Sequence, residues 1–197
     1  TDTLPLLGLN ASDVYSTLTT KRVLDADLFV VPVTEAFCAG VDGELLCSPR
    51  IDNLTSVYSS IAAIVDAKPD GIAVAACLDN EEIGSNTRRG ADSSTLTVIL
   101  EKTALALGMD RAQFLDACTG GMFLSCDAAH ALHPNHPEFA DPLCAPLLNG
   151  GVALKRSPRY SSDAETCAVV LGLAKKHGIA VQTYMNRADL AGGGTVG

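Results

Sequence analysis

Between two turn signals the sequence runs DGIAVAACL (70–78), an apolar stretch without alternation, and three acids follow it at once: Asp79, Glu81 and Glu82. A run this short and uniformly apolar, bounded by turn formers, predicts a strand buried on both faces, which belongs to a parallel sheet covered by helices. Carboxylates so close together repel one another and resist leaving water. Their place at a strand end therefore calls for a cation, or for a proton held at a raised pKa.

The flanking sequence alternates in the way such a sheet requires. DADLFVVPV (25–33), GELLC (43–47), MFLSCD (from 122), GGVALK (150–155) and IAVQTYM (179–185) predict strands. Helices are predicted for a segment opening near Asn53 and closing before Pro69, for STLTVILEKTALALG with Gly108 as its stop, for DRAQFLDACTGG from an Asp110 cap to two glycines, and for SDAETCAVVLGLAKKHG. The expected fold class is α/β, a mostly parallel mixed sheet flanked by helices. With 197 residues, 47% of them hydrophobic, the chain has the material for one sizeable core. The glycine-rich end, LAGGGTVG, reads as a turn leading into another element, so the expectation is a piece truncated at both ends.

Charge and cysteine usage narrow the function classes. A formal net charge of −9 argues against nucleic-acid binding, which needs clustered Lys and Arg; Arg88–Arg89 and Lys175–Lys176 are isolated pairs that read as solvated surface. Seven cysteines, an odd number with no C-x-x-C pair, predict free thiols in a reducing compartment. No apolar run approaches the roughly 18 residues of a membrane span, and TDTLPLLGLN has no basic leading region, so no membrane is expected and the cytoplasm is the expected address.

Ligands of open α/β sheets collect at the carboxyl ends of the strands. Acids stand at such ends in three places: Asp52 in SPRIDNL, Glu81 with Glu82, and Asp127 in LSCDAAH. Taken alone, a strand-end acid such as Asp52 or Asp127 is more often a helix cap or turn former than a ligand. Gly84, Gly90 and the glycines at 192–194 read as turn formers.

SPRIDNL (48–54), DNEEIGS (79–85) with RGADSS (89–94), LSCDAAHALHPNH (124–136), RYSSDA (159–164) and QTYMNRADLAGGGTVG (182–197) occur in this order over most of the chain. Together they resemble the aspartyl aminopeptidases, metallopeptidases with two metal ions. The resemblance implies that Asp52 bridges two divalent ions, most simply zinc, that Glu82 binds one and Asp127 the other, and that Glu81 is the general base acting on a water shared between them. It implies a peptide substrate with an N-terminal Asp or Glu, whose side chain Lys155 could meet; an exposed strand-end lysine is the other reading of Lys155. It also implies a homo-oligomer built from dimers, up to a tetrahedral dodecamer. Residues 1–33 resemble the tail of a dimerisation-type segment leading into the core, and 34–197 the catalytic α/β domain without its C-terminal part.

Each zinc wants about four ligands, and the acids with a shared water supply three apiece. In the family two histidines complete the shells, one in an upstream His-x-Asp segment and one beyond the GGGTVG turn, and this sequence has neither segment. Asp127, His130 and His133 are spaced i, i+3, i+6 and would share a helical face, but His133 precedes Pro134, which disfavours helix. His130 and His133 therefore read as loop-tying imidazoles, and His136 and His177 as surface residues. The alternative to an enzyme is a non-catalytic assembly or interaction module.

Overall fold

The structure is a computed structural model that describes residues 14–156, 160–187 and 189. The predicted turn at 192–194 and both chain ends lie outside the described residues. The chain divides into two units, Thr1–Pro49 and Arg50–Gly197.

In the first unit, α1 (Val14–Leu18) precedes a hairpin of β1 (Phe37–Ala39) and β2 (Leu45–Cys47), antiparallel with Phe37 opposite Cys47. The turn between them uses Gly40 and Gly43, both at positive φ, and Glu44 accepts a hydrogen bond from the Asp42 amide at 3.0 Å. The predicted strand at 25–33 forms no ladder. Pro32 removes a backbone donor there, and a lone extended segment gains nothing from its β propensity without a neighbour.

The second unit holds α2 (Ile51–Asp66), α3 (Thr95–Ala106), α4 (Arg111–Gly120), β3 (Val152–Lys155), α5 (Ala164–His177) and β4 (Val181–Tyr184). Here β3 and β4 pair in parallel, from Val152 opposite Val181 to Lys155 opposite Tyr184, with α5 as the crossover that parallel strands demand. The caps follow the sequence closely. Asp163 accepts from the Thr166 amide at 2.7 Å while Thr166 Oγ1 accepts from the Asp163 amide at 3.2 Å; Gly178 closes the helix at φ 66° beyond Lys175, Lys176 and His177. The same reciprocal box joins Asp110 to Gln113 at the start of α4.

These elements make the fold α/β. Two predicted strands, 70–78 and 122–126, form no ladder: among the described residues the ladders are β1–β2 and β3–β4 alone. Their side chains are open to solvent, Ile72 by 58% and Phe123 by 62%, and the apolar stripe of α2, Leu54, Tyr58, Ile61 and Val65, is exposed too. An apolar pattern records a preference for burial; a ladder needs a second strand about 4.8 Å away, and no described segment takes that place. The buried residues of this unit are few and small apart from Phe114 and Tyr184. No helix among the described residues is long and apolar enough to cross a membrane.

Candidate metal centre

Glu81 and Glu82 lie on a single 3-10 turn, Glu81–Ile83, bracketed by two left-handed residues, Asn80 at φ 64° and Gly84 at φ 94°. The loop that carries them is closed on itself. Asp79 takes a backbone bond to Arg89 O and an ion pair to its guanidinium at 3.4 Å, Ser85 N donates to Asn80 O, and Thr87 Oγ1 donates to Asn80 Oδ1 at 2.7 Å. Gly90 presses on buried Ser85 so closely that a Cβ would lie 2.0 Å from Ser85 O, which is why the RRG segment needs glycine there. The result is a fixed pedestal for two adjacent carboxylates.

Asp52 is delivered by a break at the start of α2. Arg50 is left-handed and the Asp52–Asn53 peptide is cis. Asp52 (φ −81°, ψ 110°) and Asn53 (φ −123°, ψ 30°) both lie outside helical geometry, so the regular helix begins after Asn53. Asn53 then donates from Nδ2 to Cys126 O at 2.9 Å. That bond ties the head of α2 to the segment ending at Asp127, across a sequence gap of 73 residues.

Asp52, Glu81, Glu82 and Asp127 consequently line one cleft of about 290 Å³, walled on its apolar side by Val57, Leu78 and Phe123. The Glu81 carboxyl is raised above the ordinary glutamate value, first by loss of water and then by repulsion from Asp127, Glu82 and Asp52; Lys155 pulls the other way. Lys155, at the end of β3, donates to Asp127 Oδ2 at 2.6 Å, with both side chains about four-fifths covered. Its ammonium lies 5.7 Å from the Tyr160 ring centre and 6.0 Å from that of Tyr184.

The helical triad of Asp127, His130 and His133 does not form, because residues 122–133 contain no helix. His130 Nε2 instead meets Tyr184 Oη at 2.9 Å, and His133 Nδ1 accepts from the Asn135 amide at 3.2 Å. Both tie loops. His136 pairs with Glu138 at the surface, at 3.0 Å. The residues that sequence reasoning overlooked are Asn53, Tyr160, Tyr184 and Asn186. Asn53 is adjacent to a predicted site acid, and the other three lie in the stretches RYSS and QTYMN, where polar-tipped side chains flank a strand end.

The donor set suits a divalent ion: hard carboxylate oxygens from three segments, with an ammonium already paired to one of them as a cation. It is partial, however. Among the described residues no group of three or more His, Cys, Asp and Glu converges to hold a metal ion by itself.

Carboxylates collected from separate segments around one cleft of an α/β unit are what metal-dependent hydrolases of this architecture build their sites from. The chain belongs to the M18 family, matching aminopeptidase I zinc metalloproteases over residues 6–197. It is 36% identical to a probable M18 family aminopeptidase 2 of Clostridium acetobutylicum over all of this chain and 49% of that protein. A protein of the same description from Mycobacterium tuberculosis is 39% identical over 81% of this chain and 39% of its own length. The chain thus spans about half the length, or less, of the curated relatives it matches. Among solved structures it resembles an M18 aminopeptidase of Thermotoga maritima, with a TM-score of 0.74, 27% identity, and coverage of 84% of this chain and 39% of that one. It also resembles the mApe1 dodecamer of S. cerevisiae, with a TM-score of 0.68, 27% identity, and coverage of 78% and 37%.

Proposed function

We propose that this chain carries the carboxylate part of the centre of an aminopeptidase that removes N-terminal Asp or Glu from peptides. The observation that supports it most is the gathering of Asp52, Glu81, Glu82 and Asp127 on one cleft with Lys155 beside them. Asp52 would hold two divalent ions together, Glu82 one and Asp127 the other. Zinc ions bound there supply Lewis-acid polarisation of the scissile carbonyl and acidify water.

Each step of the proposal then rests on this chain's own side chains. Glu81 takes the proton of the attacking water and returns it to the leaving amine, the exchange that a carboxylate held beside an acidified water performs. Lys155 has three donors and gives one to Asp127, which leaves two for the carboxylate of an acidic first residue. A peptide that fills the cleft displaces water and strengthens both interactions.

The parent protein assembles as a homo-oligomer in this reading, from dimers to a tetrahedral dodecamer, in line with the dodecamer among its structural neighbours. Seven cysteines with free thiols agree with a reducing, cytoplasmic setting.

Glu81→Gln in the protein that carries this chain tests the central role. Turnover of L-aspartyl p-nitroanilide is expected to fall by about 10²–10⁴ with metal content per chain unchanged. Equal turnover at equal metal content would eliminate Glu81 as the base. Comparison with L-leucyl p-nitroanilide separates acidic from neutral preference, and a protein that retains no metal would support the assembly-module alternative.

A further inference from the structure

Lysine is a poor specificity element when left to itself. Its four-carbon stem is flexible, and a single ion pair fixes one donor without fixing the direction of the others. Here the β3–β4 register puts Tyr184 opposite Lys155, and side chains at paired positions stand on the same face of a sheet. Asn186 lies two residues past Tyr184, beyond the end of β4, and its side chain reaches Tyr184 and Tyr160.

The hydrogen bonds close this face into a clamp. Asn186 Nδ2 donates to Tyr160 Oη at 2.8 Å, and Asn186 Oδ1 accepts from Tyr184 Oη. A carboxamide offers a donor and an acceptor from one rigid plane, so a single residue can bridge two phenols that differ in role. The two rings it holds are those beside the Lys155 ammonium, at the outer reach of a cation–π contact. Tyr184 is only 4% exposed, so its hydroxyl has to be satisfied from within. With its one hydrogen given to Asn186, the phenol oxygen is left to accept from His130 Nε2 at 2.9 Å, an arrangement that calls for the imidazole proton on Nε2.

We propose that Asn186 is a positioning residue for Lys155, acting through Tyr160 and Tyr184, and that it sharpens discrimination between acidic and neutral N-terminal residues. The specificity part rests on the reading of Lys155 as the partner of the substrate side chain; the clamp does not.

Two variants test it in the protein that carries this chain. Asn186→Leu keeps the volume and removes both bonds; Tyr160→Phe keeps the ring, removes one bond, and stands in if the first fails to fold. For L-aspartyl p-nitroanilide, KM is expected to rise about tenfold in Asn186→Leu and less in Tyr160→Phe, with kcat within about a factor of two, and KM for L-leucyl p-nitroanilide unchanged. Nitrogen-15 NMR is expected to find His130 as the Nε2–H tautomer, and as a tautomer mixture in Asn186→Leu. Equal effects on both substrates would overturn the specificity role. A His130 tautomer indifferent to Asn186→Leu would overturn the clamp. If Lys155→Met leaves the preference for the aspartyl substrate intact, the reading of Lys155 fails instead, and the tautomer result still decides whether Asn186 orders the tyrosines.

Discussion

Glu81 shows how one residue proposed for chemistry can be costly to the fold. Its folded-state pKa is raised, by desolvation first and by Asp127, Glu82 and Asp52 next. Folding therefore favours its protonated form. The stability that form brings is complete below the ordinary value of 4.5 and is lost as pH rises through the raised folded value. Near neutral pH the ionised carboxylate works against its own neighbourhood. Glu81→Gln is accordingly expected to stabilise the metal-free chain at neutral pH and to leave it unchanged in acid, as read by denaturant unfolding in a chelator at both pH values. Destabilisation at neutral pH would mean that the acids do not share a field. The acid pair was legible in the sequence because like charges behind an apolar run call for a counter-charge or for a proton held at a raised pKa. Lys155 was legible as a strand-end lysine, but its bond to Asp127 was not, since 28 residues separate the two and only the folded chain brings them together.

At the scale of elements, helix boundaries were the most readable features. Asp110 and Asp163 each satisfy helix-terminal amides that water would otherwise have to serve, a local requirement visible in any sequence. Asp110→Ala is expected to cost about 1 kcal/mol in unfolding free energy, measured by denaturant titration. Asp163 behaves oppositely to Glu81: the Thr166 side chain and amide hold its pKa down, so its contribution is present above the unfolded value and fades as pH falls through the lowered one. The helical circular dichroism of α5 should become acid-sensitive in that window, and Asp163→Ala should abolish the sensitivity. The Glu81–Glu82 pedestal is an element of a different kind, built from loop bonds and one tight glycine. Gly90→Ala forces a Cβ into Ser85 O and is expected to cost about 2 kcal/mol and to weaken zinc retention, checked by unfolding and by metal analysis. Strands were less readable. The patterns at 25–33, 70–78 and 122–126 have the right composition, yet a strand exists only where a second one lies beside it.

At the scale of the whole molecule, the described residues leave apolar faces open that their own patterning marks for burial: the stripe of α2, Ile72 with Val74, and Phe123 with Leu124. Apolar surface on this scale seeks cover. The chain by itself is expected to bind the apolar dye ANS and to unfold over a broad denaturant range; a dye-free, sharply cooperative transition would show those faces to be covered.

The sequence by itself determined the local terms: which segments coil into helices, where they start and stop, that the fold is α/β, and that the acids behind DGIAVAACL call for a cation or for a proton held at a raised pKa. These depend on neighbours a few residues away, and the chain cannot avoid them. Tertiary structure alone decided that Asn53 reaches Cys126 and brings Asp52 to Asp127, that Lys155 faces an acid as well as two phenols, and that His130 serves Tyr184. Those contacts join segments tens of residues apart, and their energies exist only once strand register and loop closure have set the distances.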